Sequence, residues 1–368
     1  MNLKYKKLGE VCEILDSRRI PITASERKAG QYPYYGANGI QDYVADFIFD
    51  DELVLLAEDG GNFGSSDRPI AYRVSGKCWV NNHAHVLKPL PGIDVDYLCY
   101  ALMFYDTSGL VNGATRQKLT QAAMRQMEIP IRSWDEQKTI VKKIKSAAGL
   151  IALRKSQVQK LDQLASSRFM EMFNETVFPS TTAEDACSTI VDCPHSTPSY
   201  EGENLIYPAI RTSEISNGDI DWTTMRYVSH KEYIERTRRL TPLPGDIVYA
   251  REGTYGDCVI LPAEKHFCLG QRTMLFRPNP DKCIPIYLHN ALRSADVRRQ
   301  ADVSNAGSTV PHVNVGDAKK FTFPLPPLEL QNEFAAFIEQ LDKSKVTIRK
   351  SIEKLETTYR ALLQEYFG

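Results

Sequence analysis

The stretch SWDEQKTIVKKIKSAAGLIALRKSQVQKLDQLASSRFMEMF, residues 133–173, decides the fold because one apolar stripe runs along its whole length. Steps of three and four alternate along this stripe, a spacing that places residues on one face of a helix and is typical of coiled coils. The stripe positions are Ile140, Ile144, Ala147, Ile151, Arg154, Val158, Leu161, Ala165, Arg168 and Met172. Ser133 and Glu136 form a capping-box pattern, and the proline-free run predicts a helix about 60 Å long.

The same pattern occurs a second time, because residues 307–367 repeat residues 113–173 without a gap. Within this window Pro130 matches Pro324 and Gln137 matches Gln331. The second stripe is Phe334, Ile338, Leu341, Lys345, Ile348, Ile352, Leu355, Tyr359, Leu362 and Tyr366. Two matching stripes favour helices that pack on each other, antiparallel about a pseudo-twofold axis; the alternative is that each stripe packs on its own domain.

The segments before the two helices are richer in β-formers, aromatic residues, glycine and proline. Residues 52–56 and 246–250 are predicted strands, each followed by a glycine-containing turn at 59–64 or 252–256. The predicted fold class is therefore α+β (mixed α/β), with two similar globular domains joined by two long antiparallel coiled-coil helices. The predicted segments are 1–132 for the first domain, 133–175 for its helix, 176–326 for the second domain and 327–368 for its helix.

Composition excludes several classes of protein. The chain has a net charge of −1 and 42% hydrophobic residues, which is ordinary for a globular protein and argues against a simple polyanion-coating protein. No run is apolar enough for a membrane span or a signal peptide. Eight cysteines without a Cys-x-x-Cys pair predict neither a zinc ribbon nor a redox motif. We therefore expect a cytoplasmic chain with reduced thiols.

The sequence also lacks the motifs of an enzyme. There is no Gly-x-Gly-x-x-Gly after a strand, no Asn-Pro-Pro-aromatic motif and no phosphate-binding lysine loop. The glycines at 60–64 have counterparts in the second half, which favours a structural turn. His83 and His85 suit a metal site only poorly, because their counterparts are Arg272 and Met274. We therefore predict no catalytic residues and no metal site.

The duplicated order of these segments resembles the specificity (S) subunit of type I restriction–modification systems over essentially the whole chain. The resemblance is carried by the openings at 7–12 and 183–187, by Pro-Gly-Asp-Ile-Val at 244–248, and by the apolar-Pro-apolar joints before Gln137 and Gln331.

The resemblance implies a non-catalytic subunit that binds double-stranded DNA at a bipartite site. Each target-recognition domain reads one half-site, and the helices set the spacing between the half-sites. The partners it implies are methyltransferase (M) subunits, two in number, and restriction/translocase (R) subunits, without a membrane. No cofactor is expected in this chain; the partner subunits are expected to use S-adenosylmethionine, ATP and Mg2+.

Residues that contact DNA should be loop cations that reach phosphates, or amides, arginines and aromatic residues that reach base edges. The candidates in the two domains are Arg18, Arg19, Arg68, Arg116, Gln117, Lys118, Arg211, Arg238, Arg239, Arg251, Tyr255, Arg272 and Arg298. Asn305, beside the repeated glycine Gly307, is a further polar candidate. For any cationic run, a solvated face is the alternative interpretation.

A second function class stays open at this point. A coiled-coil interaction scaffold without DNA sequence specificity would also need long helices with globular domains. DNA binding that weakens as the salt concentration rises would favour the specificity subunit over this scaffold.

Overall fold

The computed structural model describes residues 3–113, 116–174, 177–202, 206–304 and 312–368. Asn305 and Gly307 lie outside these described residues. The chain divides into two compact units, of which unit 1 comprises Met1–Ser156 with Arg349–Gly368 and unit 2 comprises Gln157–Ile348. Both boundaries fall inside the long helices, so each unit contains a globular part together with segments of both helices.

The globular part of unit 1 is a mixed sheet with short helices on its edges and one face. Its elements are β1 (Lys4–Lys7), α1 (Leu8–Val11), β2 (Cys12–Ile14), a 3-10 turn (Asp16–Arg18), β3 (Ala29–Gly36), β4 (Gly39–Val44), β5 (Phe49–Ala57), β6 (Ala71–Val80), β7 (Ala84–Pro89), α2 (Val95–Met103), β8 (Val111–Asn112), β9 (Lys118–Leu119), α3 (Gln121–Met124) and β10 (Glu128–Ile131).

The main sheet of unit 1 has the strand order β2-β7-β5-β6-β3-β4, antiparallel except for the parallel pair β3–β6. Strand β5 lies inside this sheet, and alternate side chains of a strand point to opposite faces. Val54 and Leu56 pack in the cluster that contains Leu98 of α2, whereas Leu53 and Leu55 pack in the cluster on the other face. Both faces of β5 are therefore buried, which explains its continuous apolar run.

The globular part of unit 2 repeats much of this order. Its elements are β11 (Ser180–Thr182), α5 (Ala183–Ala186), β12 (Cys187–Asp192), β13 (Tyr200–Glu201), β14 (Tyr207–Ile210), a 3-10 turn (Thr212–Glu214), β15 (Ile215–Ser216), β16 (Asp219–Ile220), β17 (Arg226–Val228), α6 (His230–Arg236), β18 (Ile247–Ala250), β19 (Cys258–Ile260), β20 (Cys268–Leu269), β21 (Thr273–Pro278), α7 (Pro285–Leu292), α8 (Ala295–Ser304), α9 (Val315–Lys319) and β22 (Thr322–Pro324).

The two units share a strand framework. The order β12-β21-β18-β19 in unit 2 matches β2-β7-β5-β6 in unit 1, and the antiparallel pair β11–β22 matches β1–β10. Unit 2 adds a separate sheet, β13-β17-β14-β20, whose parallel pair β14–β20 corresponds to β3–β6. The mixed helix-and-sheet fold predicted from the sequence is confirmed, and the greatest divergence lies outside the repeated framework.

The two long helices are continuous. Helix α4 spans Trp134–Phe173 and helix α10 spans Leu328–Phe367, each of 40 residues. The capping box is formed, because the Ser133 hydroxyl and backbone N–H both donate to Glu136 Oε2, at 2.6 and 2.9 Å. All stripe positions of both helices are buried or half-buried. None of the helices in the described ranges is long and apolar enough to cross a membrane.

The contacts within each unit show that the helices are antiparallel. In unit 1, Lys143 Nζ donates to the Tyr366 hydroxyl at 2.9 Å, and further along α4 Lys155 pairs with Glu356 at 2.9 Å. In unit 2, polar atoms join Asp162 to Lys345 at 2.7 Å and Arg168 to Glu333 at 3.4 Å. The partner number falls as the α4 number rises, as antiparallel packing requires. Lys345 thus keeps its charge at a stripe position by pairing across the helices.

Each long helix ends in the core of the unit that contains the other repeat's domain. The ring of Phe173, at the end of α4, lies 5.0 Å from the ring of Tyr287 in unit 2. The ring of Phe367, at the end of α10, lies 5.0 Å from the ring of Tyr97 in unit 1. Both tyrosine hydroxyls donate to the carbonyl of the repeated proline, Pro324 or Pro130. The two repeats therefore use the same aromatic contact.

The repeated glutamines fix the start of each helix to its domain. Gln137 Nε2 donates to the carbonyls of Gly92 and Arg132, and its Oε1 accepts from the Asp94 N–H at 2.8 Å. Gln331 binds in the same way to its own domain. Its Nε2 donates to the carbonyls of Lys282 and Pro326 at 2.9 Å, and its Oε1 accepts from the Ile284 N–H at 3.0 Å. Both side chains are fully buried.

We expect Gln331→Leu to destabilise the chain by about 2–4 kcal/mol, because leucine leaves two buried carbonyls and one buried N–H without partners. Gln340→Leu on the exposed side of the same helix is the matched control and should change stability by less than about 0.5 kcal/mol. Urea unfolding of the purified variants measures both values. Equal losses in the two variants would contradict the role assigned to Gln331.

Candidate nucleic-acid interface

A glycine turn after β5 positions an acidic residue at the surface of unit 1. Asp59 is followed by Gly60, whose φ of +64° is a left-handed conformation that favours glycine. Asp59 Oδ1 lies 2.7 Å from His83 Nδ1 and accepts from Arg116 Nη2 at 2.6 Å. We call Asp59, His83 and Arg116 the first turn cluster. It holds Arg116 in place although 61% of that side chain is exposed.

The equivalent turn after β18 builds a similar arrangement in unit 2. Glu252 is followed by Gly253, with a φ of +67°. Glu252 Oε2 lies 2.9 Å from Arg272 Nε in an ion pair, and its Oε1 lies 2.8 Å from His312 Nδ1. We call Glu252, Arg272 and His312 the second turn cluster. Its arginine is also exposed, with 65% of the side chain accessible.

Strand register explains why the two clusters match. Ala57 pairs with Ala84 at the end of β5, and Ala250 pairs with Thr273 at the end of β18. Residues just past these pairs, Asp59 with His83 and Glu252 with Arg272, therefore meet in both units. The third member comes from the repeated segment before the helix. His83 and Arg272 occupy equivalent positions, whereas the residue equivalent to His312 is Lys118, since Asp59 bridges to Lys118 as Glu252 bridges to His312. The same framework therefore presents different donors.

Further polar groups surround each turn cluster. In unit 1, Asn38 Nδ2 donates to the Gly60 carbonyl at 3.0 Å, and the exposed Gln117 accepts the Gly60 N–H at its own carbonyl. Lys118 pairs with Glu58 at 3.0 Å. These side chains place amide and cationic groups along one turn, which are the group types that reach base edges and phosphates.

In unit 2 the corresponding groups are hydroxyls, an amide and an aromatic side chain. Thr254 Oγ1 donates to the Thr212 carbonyl at 3.0 Å. Gln271, which precedes Arg272, donates from Nε2 to Thr197 Oγ1 at 2.9 Å. Two other predicted DNA-contacting residues lie together, Tyr255 on this turn and Arg298 on helix α8. The guanidinium carbon of Arg298 is 4.1 Å from the centre of the Tyr255 ring.

Three of the predicted arginines are bound into the framework instead. The structure places Arg251 only 7% exposed, with Nε donating to the Val313 carbonyl at 2.9 Å and another hydrogen bond to Asp192. Arg19 donates to Glu58 and to the Ala84 carbonyl, at 2.7 and 2.8 Å. Arg211 pairs with the buried Glu214. Their donors are used inside the units, so these arginines suit a positioning role better than direct contact with DNA.

The remaining predicted cations lie apart from the turn clusters. Arg18 donates to the Ile48 carbonyl at 3.1 Å, and Arg238 pairs with Glu235 at 3.0 Å. Arg68 and Arg239 are exposed. Within the described part of the chain, no hydrogen bond or ion pair joins these four residues to the turn clusters. DNA contact by these four residues therefore stays a prediction from the sequence.

One buried charge cluster underlies the first turn cluster. The carboxylates of Asp16 and Glu58 and the His85 ring have ligand atoms within 4.8 Å of one another. Arg19 and Lys118 pair with Glu58, and Arg19 also lies 3.6 Å from Asp16. The protein's own cations therefore already balance these carboxylates, and we interpret the cluster as structural.

Hydrogen bonding keeps both carboxylates ionised despite burial. Burial by itself would raise the pKa of Asp16, but hydrogen bonds from His85, Val86 and Gln121 outweigh it and hold the pKa below its usual value. The pKa of Glu58 is lowered in the same way: burial opposes ionisation, and hydrogen bonds from Arg19 and Lys118 prevail. The ionised pair anchors the strand ends from which the first turn cluster projects.

Sequence analysis missed the acids that centre the turn clusters. Asp59 and Glu252 were interpreted as turn residues, and His83 was considered only as a metal ligand. The available signal was the repetition itself, because an acid stands after the same strand in both halves. Which cations these acids bind depends on strand register and was not visible in the sequence.

The sequence matches the family described as type I restriction modification DNA specificity domain, over residues 2–163 and again over residues 203–357. The chain is 25% identical over 383 aligned positions to a putative type I restriction enzyme specificity subunit of Haemophilus influenzae, covering 99% of this chain and 96% of that protein. It is also 20% identical to the type I restriction enzyme MjaVIII specificity subunit of Methanocaldococcus jannaschii, with 97% and 90% covered.

Solved structures share the fold. The S subunit of a type I restriction–modification system from M. genitalium superposes with a TM-score of 0.55 at 13% identity, covering 100% of this chain and 96% of that chain. A chain from a study of complex assembly and conformational transition of the type I system gives the same TM-score at 16% identity, with 99% and 97% covered.

We expect Asp16→Asn to lower the free energy of unfolding by about 1–3 kcal/mol at pH 7, because asparagine has one acceptor oxygen, whereas His85 and Gln121 contact Oδ2 and the Val86 N–H donates to Oδ1. The folded pKa of Asp16 lies below its unfolded value, so its contribution is complete above the ordinary carboxyl range and is lost as pH falls through the folded pKa.

The difference between wild type and Asp16→Asn should therefore shrink below about pH 4. Urea unfolding at pH 7 and at about pH 3.5 measures it, with Asp50→Asn on the exposed surface as the control. A difference that stays constant with pH would show that the charge of Asp16 is not what stabilises this site.

Proposed function

Since the chain belongs to the type I restriction modification DNA specificity family, we propose that it is the non-catalytic subunit that chooses the DNA sites of a type I restriction–modification complex. The observation that carries this proposal is the pair of turn clusters. Both are built on the same strand framework, and they present different donors. A shared scaffold with unlike exposed groups is what two readers of two unlike sequences need.

We assign one half-site to each unit. The first turn cluster, with Gln117 and Lys118 beside it, reads one half-site, and the second turn cluster, with Tyr255 and Arg298, reads the other. Their exposed arginines are available to acceptors on DNA, whereas the buried Arg251 and the half-buried Arg19 and Arg211 hold the strand ends in place. Cations of this kind also contact phosphates, so binding should weaken as salt rises.

We assign the spacing between half-sites to the long helices. Each has 40 residues, equivalent to about 60 Å of helix. The buried hydrogen bonds of Gln137 and Gln331 join the start of each helix to a folded domain. The aromatic contacts of Phe173 and Phe367 join the end of each helix to a folded domain. A helix attached at both ends can transmit a fixed length, which a flexible linker cannot.

Catalysis belongs to partner subunits in this proposal. Methyltransferase subunits, two for the two repeats, would supply S-adenosylmethionine chemistry, and restriction/translocase subunits would use ATP and Mg2+. This division is consistent with the sequence, which has no nucleotide-binding or methyltransferase motif. The competing proposal is a coiled-coil scaffold that binds proteins without reading DNA.

The function is tested by co-expressing the chain with the methyltransferase subunit of its own restriction–modification system and mapping methylated adenines by single-molecule sequencing. We expect a bipartite methylation mark that is present with this chain and absent when the chain is omitted. A soluble, assembled complex that leaves no mark, and whose DNA binding has no sequence preference, would favour the scaffold.

The spacing role is tested by deleting residues 151–157 from α4 together with residues 348–354 from α10. Seven residues are two helical turns, about 10 Å, so the stripes stay in phase and the spacer should shorten by about three base pairs. Both half-site sequences should stay unchanged. Deletion from α4 alone is the control and should abolish the mark, because the antiparallel stripes then lose their register.

Altered half-site sequences in the double deletion, or an unchanged spacer, would contradict this assignment. The same methylation map provides the readout.

A further inference from the structure

We propose that Arg272 determines specificity in the second half-site by binding the O6 and N7 edge of a guanine, and that Glu252 is the residue that positions it. This inference rests on the proposed function and concerns one base pair of one half-site. It assigns roles to two members of the second turn cluster that differ from those of their counterparts in unit 1.

The backbone at Arg272 is the first observation. Its φ is +65°, and among the described residues only Asn217 is another non-glycine residue with a positive φ. In this left-handed region the Cβ of any L-residue crowds a carbonyl oxygen; the short polar side chain of asparagine can offset this by local hydrogen bonding, whereas the long side chain of arginine does not. The side chain is 65% exposed, so burial does not offset the strain. Strained residues of this kind cluster at functional sites, where the geometry itself is used.

The orientation of the guanidinium is the second observation. Arg272 Nε lies 2.9 Å from Glu252 Oε2 in an ion pair, and within the described residues Nη1 and Nη2 donate no hydrogen bond to the protein. Those two groups form the fork that binds guanine O6 and N7. The ion pair with Glu252 restrains the guanidinium at Nε and leaves the fork free of protein hydrogen bonds.

The position of Glu252 is itself restrained by contacts with residues that lie deeper in unit 2. Its other oxygen lies 2.8 Å from His312 Nδ1, and His312 Nε2 lies 2.8 Å from Arg251 Nη2. Arg251 is in turn bonded to Asp192 and to the Val313 carbonyl, and its backbone N–H donates to the carbonyl of Arg272 at 2.9 Å. A continuous series of contacts thus connects the exposed fork to the core of unit 2. This gives Arg251 its positioning role.

The surroundings of the fork suit a ligand with acceptor groups. Arg272 borders an open cleft of about 370 Å3 whose wall includes His195, Gln271 and His312. Glu252 is the acid in this wall, and both of its oxygens are already engaged. Gln271, in the same wall, donates a hydrogen bond from Nε2 to Thr197 Oγ1. An incoming base edge therefore meets donors in fixed positions.

A guanine edge and a phosphate both offer paired acceptors, and the restraint on Arg272 favours the base. A phosphate contact needs only a cation within reach, so it does not require a strained turn and a buried support. Recognition of a base edge depends on the direction in which the donor N–H groups point. The ion pair with Glu252 and the left-handed backbone of Arg272 restrain that direction. In unit 1 the equivalent strand position is His83, which has one ring nitrogen beyond its contact with Asp59 and therefore lacks this fork.

The test uses the full chain assembled with its methyltransferase partner and compares Arg272→Gly, Arg272→Lys and Glu252→Gln. Glycine is comfortable at a φ of +65°, so Arg272→Gly should fold at least as well as wild type in thermal unfolding. Arg299→Ala, which removes another exposed arginine paired with an acid, is the matched control.

We expect Arg272→Gly to reduce the preference for guanine at one position of the second half-site by about ten- to a hundredfold. Arg272→Lys should fail to restore it, because lysine has no fork. Glu252→Gln should weaken discrimination at that same position while overall DNA affinity changes little. Arg299→Ala and the first half-site should be unaffected. Competition binding with oligonucleotides substituted at each position provides these values.

A uniform loss of affinity on all sequences, with a shallower salt dependence, would identify a phosphate contact and overturn the guanine assignment. Unchanged preference in Arg272→Gly would overturn it as well. Loss of discrimination in Glu252→Gln at several positions would overturn the positioning role. If the wild-type complex itself selects no sequence, the proposed function fails first, and that outcome is visible before any variant is compared.

Discussion

The structure depends on the exchange of helix ends between the repeats. Helix α4 is joined at its start to unit 1 by the hydrogen bonds of Gln137 and ends with Phe173 in the core of unit 2. Helix α10 is joined at its start to unit 2 by the hydrogen bonds of Gln331 and ends with Phe367 in the core of unit 1. Each core therefore contains the start of one helix and the end of the other. Stripes that match in spacing make this exchange possible, because each helix must bury the same face along its whole length.

This constraint separates the parts of the chain that must be similar from the parts that can differ. The glutamine, the proline carbonyl and the aromatic pair occur in both repeats, since they join helix to domain. The turns after β5 and β18 take no part in that junction. They keep the acid and the glycine, while His83 is replaced by Arg272 and Lys118 by His312. Stability and recognition are thus assigned to different residues of one scaffold.

The arginines illustrate how burial divides these roles. Arg251 and Arg272 are joined through Glu252 and His312, yet all three nitrogens of the Arg251 guanidinium have protein partners inside unit 2, whereas the Arg272 side chain is 65% exposed. A buried guanidinium needs all its donors satisfied, because an unpaired buried charge is costly. An exposed guanidinium held at one nitrogen is both directed and available. We therefore expect the cations that contact DNA at this surface to be arginines with one guanidinium nitrogen bound to the protein and the other nitrogens accessible.

The sequence by itself determined the elements, because helix and strand patterns are local. The stripes of 133–173 and 327–367, the capping box at Ser133 and the glycine turns at Gly60 and Gly253 all depend on neighbours within a few residues. Only the tertiary structure decided which side chains meet. Glu252 binds residues 20 and 60 positions away, and strand register brings them together. Two arginines beside a turn look alike in sequence; their surroundings, set by distant segments, bury Arg251 and leave Arg272 exposed.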